Sequence, residues 1–555
     1  MRWSLTESDV NIGDLTFTGY WNQDMLSILL VSPKTIDLQL PLPPLGLHHL
    51  AIALKRSKME VALYDLSIHD ESKMLKEITA GSYDIIGMTV SHVYMKSNLQ
   101  DLWSYRQAGE RSGKKVLFVA GGHSATCDAE TWLQTGMIDI VFSGFAEDSL
   151  VLFCKMYSFS RARYGEYDGA RIALEGLDGV IYLDPNGCLV RIPSQSLTQE
   201  TFKKYFYDNV EDIDIPYEDY SVNVDAFGNK LNVVSLYTSS QCQGGCGFCG
   251  SQNFMSISQQ GFSRTYWLSA EEIFRIMVKR LAKVVHPYIL FLDDDFIIGG
   301  RCGVERIEEL CRLIIESKKS GTLPPDLKLS CQSKTMNFIA DGMVNRSVIE
   351  LMDRAGFFNV GFGIETFSDR LLASIFVNKG NASVSKYRMV LDSFLEFNIT
   401  PTIYLILGIP DSSVEELVNS MYIALYYMSQ GAFVRLSPKM YAYPGSPLMN
   451  ANVFETVYKS WHHPKAGLIK GISDYFMPAD RHIYYMVNNL WNAKQTEITR
   501  LQRIYPAIDT RKHDYSKPKQ LEVCGIMIAA LKLLGCESDI NRFDELIYKV
   551  LHENA

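Results

Sequence analysis

Short apolar runs alternate with helical patterns along most of this chain, in two separate series. The first series begins with MLSILLVSP at 25–33 and ends with the run MIDIVFSG at 137–144. The second begins with NVVSLYTSS at 232–240 and ends with AFVRLSPKMYAYPG at 432–445. Strands that alternate with helices form parallel sheets with helices on their faces. A chain of 555 residues is too long for one hydrophobic core, so we predict two to four domains.

The two series and the segments around them divide the chain into five parts. The turn Pro185-Asn186-Gly187 predicts a β-hairpin between the series, and an acidic, proline-containing stretch follows it. Residues 481–504 and 519–534 have helical patterns. We therefore predict a leading extension (1–24), a doubly wound, Rossmann-like domain (25–155), a linker with a hairpin (156–230), a partial (β/α)6 barrel (231–450) and a mostly helical C-terminal domain (451–555).

Composition excludes some classes of function. The net charge is -9 and no Lys/Arg run is longer than two residues, which argues against a nucleic-acid-binding protein. No apolar run is long enough to span a membrane, and the first residues lack the pattern of a signal peptide. The 11 cysteines fit free thiols in a reducing compartment. These features predict a cytoplasmic protein.

Three cysteines with the spacing C-x3-C-x2-C follow the first strand of the second series. Cys242, Cys246 and Cys249 lie in the glycine-rich loop SSQCQGGCGFCGSQN at 239–253. A structural zinc ion normally needs four side chains, and no fourth ligand follows at a suitable spacing. A [4Fe-4S] cluster held by three cysteines leaves one iron free for a small ligand. A zinc site or a chance group of cysteines remains the alternative.

The cysteine loop, with Phe248 just before its last cysteine, resembles the signature of the radical S-adenosylmethionine (SAM) enzymes. The resemblance implies that the three cysteines hold a [4Fe-4S] cluster and that the open iron binds the amino and carboxylate groups of SAM. The ends of the later strands would then hold the rest of SAM.

Several polar residues at these strand ends match that expectation. Asp293, Asp294 and Asp295 repel one another and so need a cationic partner, and the resemblance assigns this position to the amino group of SAM. Ser330 and Gln332 suit its carboxylate, and Glu365 resembles the glutamate that holds the ribose hydroxyls. The resemblance implies that adenine packs near 408–410. Arg264 and Arg435 could bind a carboxylate.

The loops of the first series resemble those of the cobalamin-binding domain that precedes the radical domain in one class of these enzymes. The matching stretches are 43–47, the loop after the run at 114–122, and the loop 144–147, of which only Gly144 and Glu147 fit. His123 and Ser124 differ in type from the pattern. The resemblance implies cobalamin contacts at Pro44, Gly46, Ser91, Gly121, Gly122, Thr126, Gly144 and Glu147.

A protein ligand to cobalt is not indicated. Cobalamin domains that supply an imidazole use Asp-x-His-x-x-Gly, which does not occur in the chain. We interpret the histidines of the first series as loop or surface residues, and we expect the lower face of cobalt to be open or water-bound. These histidines are His48, His49, His69, His92 and His123.

Together these features predict a cobalamin-dependent radical SAM methyltransferase that acts on a carbon of a small molecule. The resemblance implies that a 5'-deoxyadenosyl radical takes hydrogen from the substrate and that methylcobalamin donates the methyl group. It also implies an external electron donor of the flavodoxin or ferredoxin type. The alternatives are cyclisation, rearrangement or redox chemistry with the same cofactors, and a non-catalytic cobalamin or metal sensor. A tRNA-modifying enzyme would need a basic domain, which this chain lacks.

Overall fold

A computed structural model describes residues 26–34, 42–208, 214–223, 230–261, 264–452, 454–506, 508 and 517–552. The predicted leading extension lies outside these ranges. Every helix within them is too short or too polar to cross a lipid bilayer.

The first series of alternations forms a seven-stranded sheet in the order β2-β1-β3-β4-β5-β6-β7. The strands are β1 (Ser27–Ser32), β2 (Glu60–Asp65), β3 (Ile85–Thr89), β4 (Leu117–Gly121), β5 (Ile140–Phe142), β6 (Val180–Leu183) and β7 (Leu189–Ile192). The helices are α1 (Leu45–Arg56), α2 (Glu71–Thr79), α3 (Met95–Ser112), α4 (His123–Cys127), α5 (Ala129–Gln134), α6 (Glu147–Tyr164) and α7 (Glu166–Leu174). Strands β1 to β5 are parallel, and the order reverses beside β1, where such sheets bind ligands.

Burial on both faces explains why the first strand is a continuous apolar run. Leu29 and Val31 belong to the core on one face of the sheet, and Ile28 and Leu30 belong to the core on the other face. A parallel strand covered by helices on both sides has no solvent-facing positions for polar residues.

The predicted hairpin forms, but its place in a separate linker is wrong. Strands β6 and β7 pair with each other, and β6 also pairs antiparallel with β5. Val180 and Ile181 are completely buried. The hairpin is therefore the edge of the first sheet, and α6 and α7, which the sequence analysis left unassigned, connect it to β5.

The second series forms another seven-stranded sheet, in the order β16-β15-β14-β11-β10-β9-β8, after the short helix α8 (Gln199–Lys203). The strands are β8 (Ser221–Asn223), β9 (Lys230–Leu236), β10 (Pro287–Phe291), β11 (Lys328–Ser333), β14 (Phe357–Glu365), β15 (Thr400–Ile406) and β16 (Phe433–Ser437); β12 (Ile339–Ala340) and β13 (Met343–Val344) form a separate small hairpin. The helices are α9 (Phe254–Gln259), α10 (Ala270–Leu281), α11 (Arg301–Ser320), α12 (Arg346–Ala355), α13 (Asp369–Ala373), α14 (Val384–Leu395), α15 (Val414–Ser429) and α16 (Pro447–Ala451). Six of its strands, from β9 to β16, are parallel, which confirms the predicted partial barrel.

Local sequence explains where the barrel helices begin. Ser269 and Glu272 form a capping box at the start of α10, and Ser413 and Glu416 form the same arrangement at the start of α15. Each pair satisfies two backbone N–H groups that the first helical turn leaves free. The helices therefore start at fixed points behind the strand ends.

The C-terminal region is mostly helical, as predicted, but it begins with a hairpin that the sequence analysis missed. Strands β17 (Thr456–His463) and β18 (Gly467–Phe476) are antiparallel and precede α17 (Arg481–Ile504), α18 (Lys517–Leu533) and α19 (Glu537–His552). The hairpin residues Ile469 and Ile472 pack into the core of the first domain. Ile483 and Met486 of α17 belong to the barrel core instead. The C-terminal region thus contacts both sheets.

Candidate active site

A cavity of about 1120 Å³ lies where the carboxyl edges of the two sheets face each other. Gly87, Thr89 and Gly121 of the first sheet form one wall. Tyr237 and Leu292, just after β9 and β10 of the barrel, form part of the opposite wall. The cavity is larger than most small-molecule pockets and is therefore suited to a large ligand shared by both domains.

Most residues that the sequence analysis proposed for cobalamin line this cavity. They are Pro44, Gly46, Gly121, Gly122, Gly144 and Glu147. Two others lie outside the cavity wall. Thr126 is completely buried and its hydroxyl accepts a hydrogen bond from the Gly144 N–H, whereas the Ser91 N–H donates to Asn98. Both residues therefore shape loops behind the wall.

Three buried polar side chains in the cavity wall have an atom without a hydrogen-bond partner among the described residues. These atoms are Oε2 of Glu147, at the start of α6, Nδ1 of His49, on α1, and Oε1 of Gln241, in the cysteine loop. Burial raises the pKa of Glu147 to about 7 and lowers the pKa of His49 to about 3. Buried polar atoms are normally paired, so this wall suits a ligand with its own polar groups, such as cobalamin.

The prediction that the histidines of the first domain lie in loops or on the surface is wrong for His49. His49 is buried on α1 and packs against Phe206, with ring centroids 5.2 Å apart. His92 lies in the loop before α3, as predicted, but it is buried there, and its Nε2 lies 2.6 Å from the Ser473 carbonyl oxygen of the C-terminal hairpin. The helical face of α1 and the hairpin contact explain their burial.

Asp293, after β10, fixes the start of the cysteine loop. Its carboxylate accepts hydrogen bonds from the Thr238 N–H, at 2.9 Å, and from the Thr238 and Ser239 hydroxyls. Burial raises the pKa of Asp293 to about 6, although these hydrogen bonds favour the ionised form. Its side chain therefore orders the backbone that leads to the cysteines, a role that the sequence analysis did not predict.

Asp294 faces the cavity beside a histidine from the first domain. Solvent reaches its side chain through the cavity, but protein surrounds it. This burial raises its pKa, which the Ser251 hydroxyl and nearby His123 oppose. His123 in turn stacks on Phe254, with ring centroids 5.2 Å apart. The first residue of α4, in the first domain, thus contacts the first residue of α9, which follows the cysteine loop.

The remaining strand-end residues differ in exposure. Asp295 is buried and pairs with Lys334 at 3.2 Å, so it already has the cationic partner that the sequence required. Ser330 is buried, whereas the side chain of Gln332 is exposed at the end of β11. Arg435 lies over the ring of Tyr404, 5.9 Å from its centroid.

Two further predicted stretches have other neighbours in the structure. Gly408, in the predicted adenine region, packs closely against Val487 of α17, and Arg264 is exposed. Binding of SAM by these residues remains a prediction.

The cysteine loop is enclosed by residues from two other parts of the barrel. A Cβ atom at Gly247 would collide with the carbonyl oxygen of Ile375, and the Gly247 carbonyl accepts a hydrogen bond from the Leu448 N–H. Only glycine permits this close approach. The loop conformation therefore depends on contacts far away in sequence.

The chemistry of the three cysteines suits an iron–sulfur cluster. Cys242, Cys246 and Cys249 are free thiols, each partly shielded from solvent. Burial raises the pKa of Cys242 to about 11, so iron that binds this cysteine must displace the thiol proton. Among the described residues, no three His, Cys, Asp or Glu side chains lie close enough to hold a single metal ion. The fit to a cluster thus rests on the donor type and on the enclosed loop.

Glu365 ends β14 and is partnered by a lysine that the sequence analysis did not single out. The Lys379 Nζ lies 3.1 Å from Glu365 Oε1, and both side chains are largely buried. Lys379 is 14 residues further along the chain, in a loop without a recognisable motif. No local pattern could have identified this pair.

The fold and site define a protein in which two sheets face one cavity. Comparison with protein families assigns each sheet to a cofactor-binding domain. Residues 34–153 match the B12 binding domain, and residues 236–421 match the radical SAM superfamily. The chain belongs to the cobalamin-dependent radical SAM enzymes. Its cofactors are cobalamin, SAM and a [4Fe-4S] cluster.

Individual proteins resemble the chain over most of its length. An uncharacterised methyltransferase of Pyrococcus horikoshii is 26% identical over 388 residues, covering 68% of this chain and 71% of that protein. The radical SAM methyltransferase TsrM of Kitasatospora setae, solved with tryptophan substrate and a SAM analogue, has a TM-score of 0.59 at 16% identity and covers 93% of this chain and 99% of that one. The cobalamin-dependent SAM radical enzyme OxsB, solved with aqua-cobalamin and SAM, has a TM-score of 0.63 at 14% identity and covers 96% and 83%. At these identities the two structures show the shared fold.

Proposed function

We propose that this enzyme transfers a methyl group from methylcobalamin to a carbon atom of a small-molecule substrate. The observation that carries the proposal is the cavity shared by the two sheets. Gly121 and Gly144 of the B12 domain line it on one side, and Asp293 and Asp294, next to the cysteine loop, line it on the other. This arrangement supports the proposal that a cobalamin site and a radical site share one space.

The cluster with SAM supplies a carbon-activating radical when bound, and cobalamin supplies the methyl group. The protein contributes position and shielding. Asp293 fixes the backbone at Thr238, and the contact of His123 with Phe254 holds the first domain against the cysteine loop. Fixed distances between reacting groups and the exclusion of water are the main contributions that residues can make to such chemistry.

The names of related proteins support methyl transfer. The relative from Pyrococcus horikoshii is named a methyltransferase, and TsrM is a methyltransferase solved with tryptophan. A small-molecule substrate is consistent with the negative net charge of this chain. For the electron, we propose a donor of the flavodoxin or ferredoxin type, and for the location, the cytoplasm.

A second candidate function keeps the same cofactors without methyl transfer, in a cyclisation, rearrangement or redox reaction. OxsB favours this candidate, since its fold is equally similar and its name specifies a radical enzyme rather than a methyltransferase. The two functions differ in where the methyl group of SAM goes.

The test follows the methyl group and needs no knowledge of the substrate. The full chain is reconstituted anaerobically with iron, sulfide and hydroxocobalamin, then incubated with a strong reductant and SAM carrying a deuterated methyl group. We expect about four iron and one cobalt per chain and labelled methylcobalamin on the protein.

A pool of candidate metabolites, including tryptophan, is then added, and products are analysed by mass. A product with the deuterated methyl group supports methyl transfer. Cleavage of SAM with no label on cobalamin or product would favour the second candidate, and zinc in place of iron would exclude both.

A further inference from the structure

A short segment after α13, residues 374–379, holds the cysteine loop in place; we call it the clamp. The Asn378 side-chain N–H donates a 2.7 Å hydrogen bond to the Gly245 carbonyl oxygen. The carbonyl groups of Ile375 and Phe376 pack directly against Gly247. The clamp therefore touches both residues that flank Cys246.

The last residue of the clamp, Lys379, meets a carboxylate that the strand presents in a strained conformation. Glu365 has φ of 64°, an unfavourable value for a residue with a side chain, and a register shift separates it from Gly363. A Cβ atom at Gly363 would lie 2.6 Å from Glu365 Oε1 and 3.2 Å from Lys379 Nζ. The carboxylate of Glu365 and the ammonium group of Lys379 can meet because of three features: the strained backbone, the bulge and the missing side chain at Gly363.

The ammonium group of Lys379 stays charged although it is buried. Burial lowers the pKa of Lys379, but Glu365 and Cys246 raise it, and the net change is upward. The geometry agrees, because Asn378, the neighbour of Lys379, is hydrogen-bonded to Gly245, the neighbour of Cys246. In a buried environment such an interaction is weakly screened and acts on any negative charge that develops on the cysteine loop.

We propose that Lys379 is a positioning residue that sets the reduction potential of the cluster while it holds Glu365. The inference rests on the proposed cluster at the three cysteines. When one electron enters the cluster from a low-potential external donor, negative charge increases beside Cys246. Lys379 keeps its proton and stabilises this reduced form. Without Lys379, the negative charge of Glu365 would be unpaired beside the cluster, whereas Lys334, on the Cys242 side of the loop, would remain paired with Asp295.

The experiment compares the variants Lys379→Met and Lys379→Arg in the reconstituted full chain. Iron content and visible absorbance establish that the cluster is present, and a redox titration followed by electron paramagnetic resonance gives its midpoint potential. For Lys379→Met we expect a tenfold lower ratio of reduced to oxidised cluster at a fixed potential, which is about 59 mV for a one-electron couple. Lys379→Arg retains the charge and should restore most of the ratio.

Two matched variants separate charge from mechanical support. Asn378→Ala removes the hydrogen bond to Gly245, so it should reduce cluster retention without moving the midpoint potential. Lys328→Met removes an exposed charge at the far end of β11 and should change neither property.

Further outcomes decide the proposal if Lys379→Met does not assemble a cluster. Glu365→Gln removes the opposing charge and should shift the ratio toward the reduced form. A Lys379→Met cluster with the wild-type potential, or an unchanged potential in Glu365→Gln, would overturn the role of Lys379. A wild-type protein without four iron would instead overturn the cluster site.

Discussion

The two sheets of this enzyme face one cavity but present it with different chemistry. The first sheet offers mainly glycines and apolar side chains, with Asp65, Glu147 and His49 as its buried titratable groups. The barrel offers the strand-end carboxylates Asp293 and Asp294, of which Asp293 already accepts hydrogen bonds within the protein. The first edge is therefore suited to a large ligand recognised by shape, and the second to ligands recognised by charge and hydrogen bonds. Substitutions should affect the two edges separately.

The largest effect is expected at the cysteine loop. Replacing Cys246 with Ala removes one of three iron ligands, so we expect complete loss of the cluster's visible absorbance and of SAM cleavage. Cobalamin binding should remain, because the cysteines do not line the cavity. Cys302→Ala, at an exposed thiol on α11, is the control and should retain four iron. A normal cluster in Cys246→Ala would show that the site is wrong.

The corresponding test at the first sheet places a large side chain in the cavity. No atom lies within 4 Å of a Cβ placed on Gly46, so Gly46→Trp should fit the fold and project a large ring into the cavity. We expect about 100-fold weaker binding of hydroxocobalamin, or about 2.7 kcal/mol. Iron content should not change. Gly46→Ala, which adds one methyl group in open space, should bind almost normally; equal binding by Gly46→Trp would place cobalamin elsewhere.

Glu365 tests recognition by charge at the barrel edge. Glu365→Gln should weaken SAM binding about tenfold, in line with the loss of a charged hydrogen-bond acceptor. Equilibrium binding to the reconstituted enzyme measures the change. Glu396→Gln, an exposed carboxylate paired with Arg346, should have no effect. Unchanged SAM affinity in Glu365→Gln would disprove the ribose assignment.

The smallest effect concerns the pH dependence of stability through Glu147. Because burial raises its folded-state pKa to about 7, above its unfolded value, the neutral form is favoured in the folded protein. The contribution of the neutral Glu147 side chain to the free energy of unfolding is fully present below about pH 4.5. It is lost as the pH rises through 7. We therefore expect the difference between Tm at pH 8 and Tm at pH 5 to be more positive in Glu147→Gln than in wild type, by a few degrees.

Thermal unfolding of the cobalamin-free protein at the two pH values measures this difference. Glu175→Gln, at an exposed carboxylate, should show the wild-type pH dependence. The same pH dependence in Glu147→Gln would mean that the buried carboxyl group does not contribute.

The parts of the fold that could be predicted are those that depend on local sequence. The parallel strands were recognised because burial on both faces produces uninterrupted apolar runs, as in β1. The hairpin of β17 and β18 was missed because its apolar residues, such as Ile469 and Ile472, pack on a domain hundreds of residues earlier. Its exposed face carries Tyr458 and Leu468, which obscures the alternation.

The candidate site shows the same division. The cysteines and glycine loops follow a recognisable spacing, and most of the proposed cobalamin residues line the cavity. The partners of these residues do not follow any local pattern. Lys379 pairs with Glu365, and His123 packs on Phe254, only because the folded chain brings distant loops together. Such contacts require the structure.

The hairpin also bears on how the protein is made. Its Ile469 and Ile472 complete the same apolar core as Leu29 and Ile181. At ordinary rates of synthesis, the roughly 290 residues between Ile181 and Ile469 take on the order of tens of seconds to emerge from the ribosome. During that interval the nascent first domain has an uncovered apolar face. Its final folding step therefore waits until this hairpin has been synthesised, and a chaperone that shields this face would act in that interval.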